Sequence, residues 1–494
     1  MNVLLIMCDQ FSASALKMYG GSVETPNLNK IAAAGVVFDA AYCQTPVCSP
    51  SRASIITGQY PHKHGLVHNV NRVDYPIIGG PEGEDGINEL DVTTESILHA
   101  GGYNLAHIGK WHLSGECDLS YYPNMYREHQ EYGVEMQDTF HRVAMRPREE
   151  YLDWYGWKLP VTMCEEFKES TRLIPAKYME LDLYRDFYGK MGRLELPIED
   201  NYDYRIGSKC VEFIKGAEKP FMLTCSFNLP HDPNVIPSPY YESVNNVSAN
   251  SSLPCDDMYM NDLSKDIPTH AGDAFLKEFI KIYYASIKLV DDQIGRMLSA
   301  LEKKGALKDT VIIFTADHGD MAGGHGMFWK STKSFYDEIA RVPLVISAPG
   351  YKPARYNKPV ELVDIMPTII DLCGFQPAGM DIDGVSLVPV LQGAESEKDT
   401  AISERLYFAP GNKRHAHSND ENAHFMLRYD KYKFILHKEG DGLTPLLFDL
   451  SKDPGEFDNL CKNPEHRELV AKLYEKLRLR LAGSGYLLQS ESII

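Results

Sequence analysis

Apolar runs of strand length recur along the chain, each bounded by polar or turn-forming residues. Five such runs are predicted to be strands: Val3–Met7, Asn104–Ile108, Pro220–Phe227, Thr310–Thr315 and Val342–Ser347. Strands that are apolar on both faces are typical of parallel sheets covered by helices. The pattern therefore predicts a large, mostly parallel central sheet.

Between these runs the apolar positions follow the helical period. The clearest helix is predicted over about Ala274–Lys304, and Gly305 ends it. Shorter helices are predicted over about Thr25–Gly35, where Thr25-Pro26 provides a cap and a first-turn proline, and over Asp364–Cys373. Alternating strands and helices predict an α/β fold with helices on both faces of the sheet.

The pattern changes after about Gly374. Phe425–His437 and Leu446–Leu450 are predicted to be antiparallel strands joined by a turn at Gly440-Asp441-Gly442. Glu465–Leu481 is a predicted charged, amphipathic helix. These elements indicate a smaller α+β unit with an antiparallel sheet.

The length of 494 residues is enough for two units, since single cores stop growing near about 250–300 residues. We predict a large α/β domain over 1–375 and a C-terminal α+β subdomain over 376–494. The stretch at about 119–203 is rich in Tyr, Glu and Arg and has weak periodicity. It is predicted to be an insertion over the sheet.

The net charge of −19 argues against a nucleic-acid or anionic-membrane partner, because both favour basic surfaces. An anionic substrate stays possible if a few basic side chains converge locally. The apolar run at the N-terminus is too short to span a membrane and lacks a basic leader. Together with scattered cysteines, this favours a cytoplasmic location, or a periplasmic or secreted one if a leader has been removed. The oligomeric state has no signal in the sequence.

Two carboxylates follow predicted strands. Asp9 and Asp317 each lie just past the end of a buried strand, with Gln10 and His318 beside them. Ligands bind at the carboxyl edge of open parallel sheets, so the pair predicts a site for a hard cation. For Asp9 alone, capping of the following turn is an equal alternative.

Cys48 precedes Ser49-Pro50, which is predicted to cap a helix that ends at Gly58. A helix N-terminus favours negative charge, and Arg52, four residues on, shares a helical face with Cys48. A lone cysteine is usually a small buried hydrophobe. The cap and the arginine instead favour a nucleophile.

Four further residues follow strand ends: Lys110, His112, His231 and Lys330. Lys110 and His112 are two positions apart, so an extended backbone would point both into one pocket. Taken singly, such residues are more often solvated. Their shared position makes them candidates for a catalytic site.

The segment Tyr42–Ser54 contains Cys48-Ser49-Pro50-Ser51-Arg52, which resembles the C-x-P-S-R signature of the sulfatase family. Other blocks resemble the family in the expected order: Asn2–Gln10, Thr25–Leu28, Gly109–His112, Thr315–Gly319 and Asp449–Leu460. The resemblance covers almost the whole chain. It implies an alkaline-phosphatase-like fold.

The resemblance further implies that a formylglycine-generating maturation enzyme oxidises Cys48 to Cα-formylglycine. This agrees with elementary chemistry, because calcium prefers oxygen and a thiol is a poor ligand for it. One Ca²⁺ ion is the implied cofactor, with the implied ligands Asp9, Gln10, Asp317, His318 and the modified Cys48.

By the same resemblance, Lys110 and Lys330 would hold the sulfate oxygens. Arg52 would position the hydrated aldehyde. His231 would protonate the leaving alcohol, and His112 would be the base that regenerates the aldehyde. The products would be an alcohol and inorganic sulfate.

Two positions depart from many sulfatases, which have Asp in place of Gln10 and Asn in place of His318. With these two residues the site resembles that of phosphonate monoester hydrolases. Those enzymes, however, generally lack the residues that stand here as Lys110 and His112. We therefore predict hydrolysis of a sulfate ester, of a sulfated carbohydrate or glycosaminoglycan fragment. The alternatives are a phosphonate monoester or phosphodiester hydrolase, a non-catalytic carbohydrate-binding relative, and a thiol hydrolase with unmodified Cys48.

Overall fold

The fold is seen in a computed structural model, which describes residues 1–69, 92–113, 160–179, 189–218, 220–254, 262–330, 333–376, 379–407, 422–440 and 442–488. Its strands in chain order are β1 (Asn2–Asp9), β2 (Val36–Tyr42), β3 (Asn104–Gly109), β4 (Val161–Thr162), β5 (Gly192–Leu194), β6 (Phe221–Pro230), β7 (Val235–Pro237), β8 (Thr310–Ala316), β9 (Arg341–Ser347), β10 (Ala354–Tyr356), β11 (Val360–Glu361), β12 (Thr400–Leu406), β13 (Asn422–Tyr429), β14 (Tyr432–Glu439) and β15 (Gly442–Asp449).

The central sheet has eight strands in the order β10-β2-β9-β8-β1-β6-β3, and β11 also pairs with β2. Strand β1 runs parallel to both of its neighbours, β6 and β8, and β3 runs parallel to β6. Only β9 is antiparallel to the strands beside it, β2 and β8. The predicted mostly parallel sheet is confirmed.

The buried strands explain why the sequence pattern was informative. All eight residues of β1 and all seven of β8 are buried, because helices cover both faces of a parallel sheet. Strand β2 was not predicted from the sequence. Its apolar run is interrupted by Asp39, which is partly exposed and pairs with Arg355 on β10.

The helices in chain order are α1 (Pro26–Ala33), α2 (Cys48–Thr57), α3 (Pro61–His64), α4 (Thr94–Ala100), α5 (Glu165–Thr171), α6 (Ala176–Met179), α7 (Tyr202–Gly216), α8 (Asp262–Ala271), α9 (Asp273–Lys304), α10 (Asp337–Ala340), α11 (Ile365–Leu372), α12 (Val388–Leu391) and α13 (Arg467–Gly483). Two groups flank the sheet: α1 and α7 pack on α9, whereas α2 and α4 pack on α11. The described part of the chain contains no helix both long and apolar enough to cross a membrane.

The long helix α9 agrees with its prediction within one residue, and Gly305 ends it in the left-handed conformation. Helix α1 also lies where it was predicted, but the Thr25 side chain does not cap it. The carboxylate of Asp291, on α9, instead accepts hydrogen bonds from the backbone N–H groups of Asn27 and Leu28. Packing against a neighbouring helix therefore replaces the local cap.

The C-terminal unit contains an antiparallel sheet in the order β12-β13-β14-β15, with α13 packed on β13 and β14. The prediction of one strand over Phe425–His437 was wrong. The structure has two strands there, β13 and β14, joined by a turn in which Asp430 has a φ of 51°. Aspartate tolerates this left-handed conformation, which allows the tight turn.

Most of the predicted insertion at 119–203 lies outside the described residues, and so does Asp441 of the predicted 440–442 turn. Within the described part, β5 pairs with β4 and with β7 in a three-stranded sheet separate from the central one. The boundaries proposed for the insertion and for the two domains stay predictions.

Candidate active site

Residues from three distant parts of the chain meet at the carboxyl edge of the central sheet. Asp9 ends β1, and Asp317 follows the adjacent strand β8. Their carboxylate oxygens, the Cys48 sulfur and a His318 ring nitrogen all lie within 4.8 Å of one another, and all four residues are buried. The predicted pairing of the two strand-end carboxylates is therefore seen in the fold.

Cys48 is the first residue of α2, and Val47 occupies the cap position. The prediction that Ser49 caps this helix was wrong, because the helix starts two residues earlier. The backbone N–H of Ser49 instead donates to Oδ1 of Asn69, at 3.1 Å. Gly58 ends the helix in the left-handed conformation, as predicted.

Cationic side chains surround the Cys48 sulfur. Lys330 Nζ lies 2.9 Å from Sγ, and His318 Nε2 lies 3.3 Å from it. Burial opposes ionisation of the thiol, but Lys110, Lys330 and His318 outweigh it and hold the pKa of Cys48 well below its usual range. The site is therefore suited to a negatively charged group at this position.

Arg52 is fully buried and links both carboxylates. Its Nε donates to Asp317 Oδ2 at 2.8 Å, and one terminal nitrogen donates to Asp9 Oδ2 at 3.2 Å. The other terminal nitrogen donates to Ser226 Oγ and to the carbonyl of Lys110, at 2.8 and 3.0 Å. The planar guanidinium thus fixes β1, β3, β6 and β8 relative to one another at the site.

The two carboxylates differ in their pKa. Burial alone would raise the pKa of Asp9, but Lys110, His231 and Arg52 hold it below the usual range. Burial and the neighbouring Asp9 raise the pKa of Asp317. A divalent cation between them would offset this repulsion.

Lys110 and His112 both reach the site, but not for the predicted reason. The backbone between them is not extended, because His112 has a φ of 55°. Lys110 Nζ forms an ion pair with Asp9, and the His112 ring is a hydrogen-bond partner of Cys48. Burial and the Lys110 charge lower the pKa of His112 to about 4, so this ring is neutral at pH 7.

His231 lies opposite Lys330, with 3.4 Å between its Nε2 and the lysine Nζ. Its Nδ1 faces Asp232, 2.9 Å from the carbonyl and 3.2 Å from Oδ1. The indole N–H of Trp329 donates to the same Oδ1. Although burial opposes it, Asp232 and Asp9 raise the pKa of His231. Asp232 was not predicted from the sequence, although its place next to a candidate histidine is a usable signal.

In the side-chain amide of Gln10, one polar atom is hydrogen-bonded and the other is not. Its Nε2 donates to Asp320 Oδ2 at 2.5 Å, whereas its buried Oε1 has no hydrogen-bond partner among the described residues. Asp320 is fully buried, and burial raises its pKa to about 6. It also accepts the backbone N–H of Ala322, at 2.7 Å. Sequence reasoning missed Asp320, which lies in an irregular segment after β8 and has no periodic neighbours.

These residues fit a hard divalent cation. Two carboxylates and an imidazole nitrogen converge on one buried point, and the neighbouring Gln10 has a buried amide oxygen without a partner among the described residues. The sulfur of Cys48 is the one unsuitable donor for such an ion. It stands where a formylglycine would present oxygen, and that exchange would complete the ligand set.

Comparison with known protein families gives the decisive observation. The family model described as Sulfatase matches residues 1–375. This chain belongs to the sulfatase family. A second model, described as N-sulphoglucosamine sulphohydrolase, C-terminal, matches residues 323–482. Sulfatases are hydrolases of sulfate esters, and members generally use a formylglycine and a metal ion.

Curated relatives span the whole sulfatase chain. An arylsulfatase of Clostridium perfringens is 29% identical over 98% of this chain and 95% of its own length. A choline-sulfatase of Rhizobium meliloti is 27% identical over 94% and 83%, respectively. The resemblance stated from the signature is therefore confirmed along the full length.

Solved structures confirm the predicted fold class. A phosphonate monoester hydrolase of Agrobacterium radiobacter has a TM-score of 0.68, at 25% identity over 98% of this sulfatase and 96% of that chain. A protein solved with its substrate D-glucosamine-2-N,6-O-disulfate also has a TM-score of 0.68, at 22% identity over 98% of both chains. The second likeness establishes the fold alone.

Proposed function

We propose that this sulfatase hydrolyses a sulfate ester of a saccharide, with Cα-formylglycine derived from Cys48 and one Ca²⁺ ion. The observation that carries this proposal is the convergence of two lysines and two histidines on one buried sulfur at a helix N-terminus. Such a site suits an anionic group whose charge increases during reaction. A neutral ester would gain no stabilisation from these positive charges.

The formylglycine would supply a hydroxyl nucleophile from its hydrated aldehyde, and the cation would lower the charge on the sulfate. Asp9, Gln10, Asp317 and His318 would hold the cation. Arg52 keeps Asp9 and Asp317 in place by direct hydrogen bonds. A single fully buried guanidinium thus holds two of the proposed cation ligands.

Lys110 and Lys330 are the proposed sulfate-binding residues. Lys330 Nζ lies 2.9 Å from Cys48 Sγ, and Lys110 Nζ forms an ion pair with Asp9 on the other side of the site. Two ammonium groups around one position stabilise an anion strongly in a water-excluded site. Their task is to bind the sulfate oxygens and the charge that develops on them.

The two histidines have opposite proton states. His231 keeps its proton to higher pH because Asp232 faces its Nδ1, so Nε2–H can protonate the leaving alcohol. His112 is neutral at pH 7 and contacts Cys48, so it can accept a proton from the group formed there. The pair therefore divides the acid and base steps of the reaction.

A sulfated saccharide is the proposed substrate class. One structural neighbour was solved with a disulfated glucosamine as its substrate, and another is described as a 2-O GAG sulfatase. The match of residues 323–482 to the C-terminal model of a sulphoglucosamine sulphohydrolase supports the same class. An external enzyme would have to convert Cys48, because no group at the site can oxidise a thiol.

A phosphonate ester is the second candidate. It is favoured by the oxygen and nitrogen ligands Gln10 and His318 and by the phosphonate monoester hydrolase among the structural neighbours. Lys110 and His112, which contact Asp9 and Cys48, favour sulfate, because phosphonate monoester hydrolases generally lack these two residues.

The test begins with mass spectrometry of the Cys48 peptide from protein produced with a formylglycine-generating enzyme. The modified protein is then assayed on matched sulfate and phosphonate esters of one phenol and on sulfated saccharides. We expect sulfate release, loss of turnover in C48A, and faster turnover of sulfates than of phosphonates. Faster phosphonate turnover would favour the second candidate, and full activity in C48A would overturn both.

A further inference from the structure

A group of basic and aromatic residues lies beside the site and has no role in the chemistry proposed above. We call it the basic cluster, and its members are His68, Lys333, Arg405, Tyr407, His424 and His437. Three of them form one row across the C-terminal sheet: Arg405 on β12 is directly opposite His424 on β13, which is directly opposite His437 on β14.

The row belongs to the face of the sheet that packs on the catalytic domain. In the adjacent row, Met426 and Ile435 pack against Tyr42 and Met327 of that domain. Side chains two positions along a strand share a face, so the basic row continues the same interface. The row is buried: Arg405 is 5% exposed, and the two histidines are fully buried.

The cluster is close to the nucleophile by two independent paths. The carbonyl of Val67 accepts a hydrogen bond from Arg405, and two residues later Asn69 accepts the N–H of Ser49, next to Cys48. On the other side, Lys333 lies three residues after Lys330, a span of at most about 11 Å. Both paths are short, so the cluster lies near the nucleophile.

Arg405 has no carboxylate partner in the part of the chain that the structure describes. Its terminal nitrogens bond to the carbonyl of Val67 and to His68 Nδ1, and its Nε is buried without a partner. A buried guanidinium without an anion is costly, whereas its planar fork matches a carboxylate or sulfate. This arrangement is expected of an arginine side chain that binds an anionic ligand.

Two further members of the basic cluster are suited to binding a sugar that carries an acidic group. The Tyr407 ring lies 4.4 Å from the Arg405 guanidinium, so an aromatic group adjoins the cation. Lys333 Nζ lies 5.8 Å from the same ring and 3.5 Å from Glu439, a half-exposed carboxylate. Burial and the nearby cations lower the pKa of His424 to about 2, so it stays neutral and can donate or accept a hydrogen bond.

We propose that the basic cluster binds a second anionic group, a carboxylate or a sulfate, on the alcohol part of the substrate, with Arg405 as the main ligand. The inference rests on the proposed function, and it narrows the substrate class to acidic saccharides that carry at least one anion besides the scissile sulfate. Arg405 then determines specificity and takes no part in bond breaking.

The test compares kcat/KM for a sulfated uronate, a disulfated hexosamine, a neutral hexose monosulfate and an aryl sulfate. We expect the wild type to prefer one of the two acidic sugars over the neutral sugar by at least about 10-fold. In R405M this ratio should fall about 10- to 100-fold, mainly through KM. The preferred acidic sugar tells whether the second anion is a carboxylate or a sulfate.

The control is R355M, which removes an exposed arginine on β10 and should leave both the ratio and the activity unchanged. R405K keeps the charge but loses the fork, and it should give an intermediate ratio even if R405M is unstable in a thermal melt. No preference in the wild type, or equal losses on all substrates in R405M and R405K, would overturn the inference. Failure of the proposed function is a different result, namely no sulfate release from any of the four.

Discussion

Lys330 Nζ lies 2.9 Å from the sulfur of Cys48, at the first turn of α2. The two residues are 282 positions apart, so only the complete fold brings them together. Because the ammonium group faces the reacting position, we expect K330A to lower kcat by about 10²- to 10³-fold, the usual effect of removing one donor to a developing anion. Steady-state hydrolysis of an aryl sulfate measures it.

The matched control for this variant is K431A, which removes an exposed lysine paired with Asp449 on the C-terminal sheet. Its kcat should equal that of the wild type. A K330A enzyme with near-normal kcat would show that Lys330 is not needed for charge stabilisation.

Asp320 accepts a hydrogen bond from the side chain of Gln10, whose buried Oε1 has no partner among the described residues and is a proposed ligand of the cation. We expect D320A to weaken metal affinity about 10- to 100-fold, as is typical when a partner of a ligand is lost. The measurement is activity of chelator-treated protein during titration with Ca²⁺, together with the rise in Tm that Ca²⁺ produces. Saturating Ca²⁺ should restore most of the D320A activity. An unchanged titration midpoint would contradict the role of Asp320.

His62 and Glu404 form a buried ion pair between α3 and β12, at 2.9 Å. Burial opposes protonation of His62, but Glu404 outweighs it and raises the pKa above 6.5. The stabilisation is therefore complete below pH 6.5 and is lost as pH rises through the raised pKa. At pH 6, H62Q should lower the free energy of unfolding by about 1–3 kcal/mol.

Urea unfolding of the wild type and H62Q from pH 6 to pH 9 measures the difference between their free energies of unfolding. It should decrease with rising pH, and E404Q should behave in the same way. A difference that stays constant over this range would show that His62 stays neutral in the folded protein.

Gly109 precedes Lys110 at the end of β3, with a φ of +111°. A Cβ there would lie 1.8 Å from the backbone carbonyl of Ser226, so G109A should cost at least about 3 kcal/mol and displace Lys110. Gly102 is the control, because it also has positive φ, +83°, but no heavy atom within 4 Å of its Cβ position. G102A should cost only about 1 kcal/mol. Equal Tm values for the two variants would contradict the clash.

Much of the fold could be predicted because buried strands are continuous apolar runs. Strand β1 is such a run, and the helical spacing of the apolar residues in α9 is equally clear. Strand β2 was missed because a single polar residue, Asp39, interrupts it. The turn at Asp430 was missed because a two-residue turn between apolar strands leaves little trace in the pattern.

The site residues were found because strand ends and a helix start concentrate them, as for Asp9, Asp317 and Cys48. Residues that act through another side chain left no such signal. Asp232 and Asp320 resemble ordinary loop carboxylates in the sequence, and only their contacts with His231 and Gln10 distinguish them.

The order of strands in the central sheet also determines when the sheet can form during synthesis. Asn2 of β1 pairs with Thr310 of β8, so about 300 residues must be made before this pairing can form. At about 5–20 residues per second, the ribosome needs about 15 to 60 s for that length. In the folded protein Cys48 is fully enclosed. The interval of synthesis is therefore a window in which the proposed formylglycine-generating enzyme would have access to the thiol.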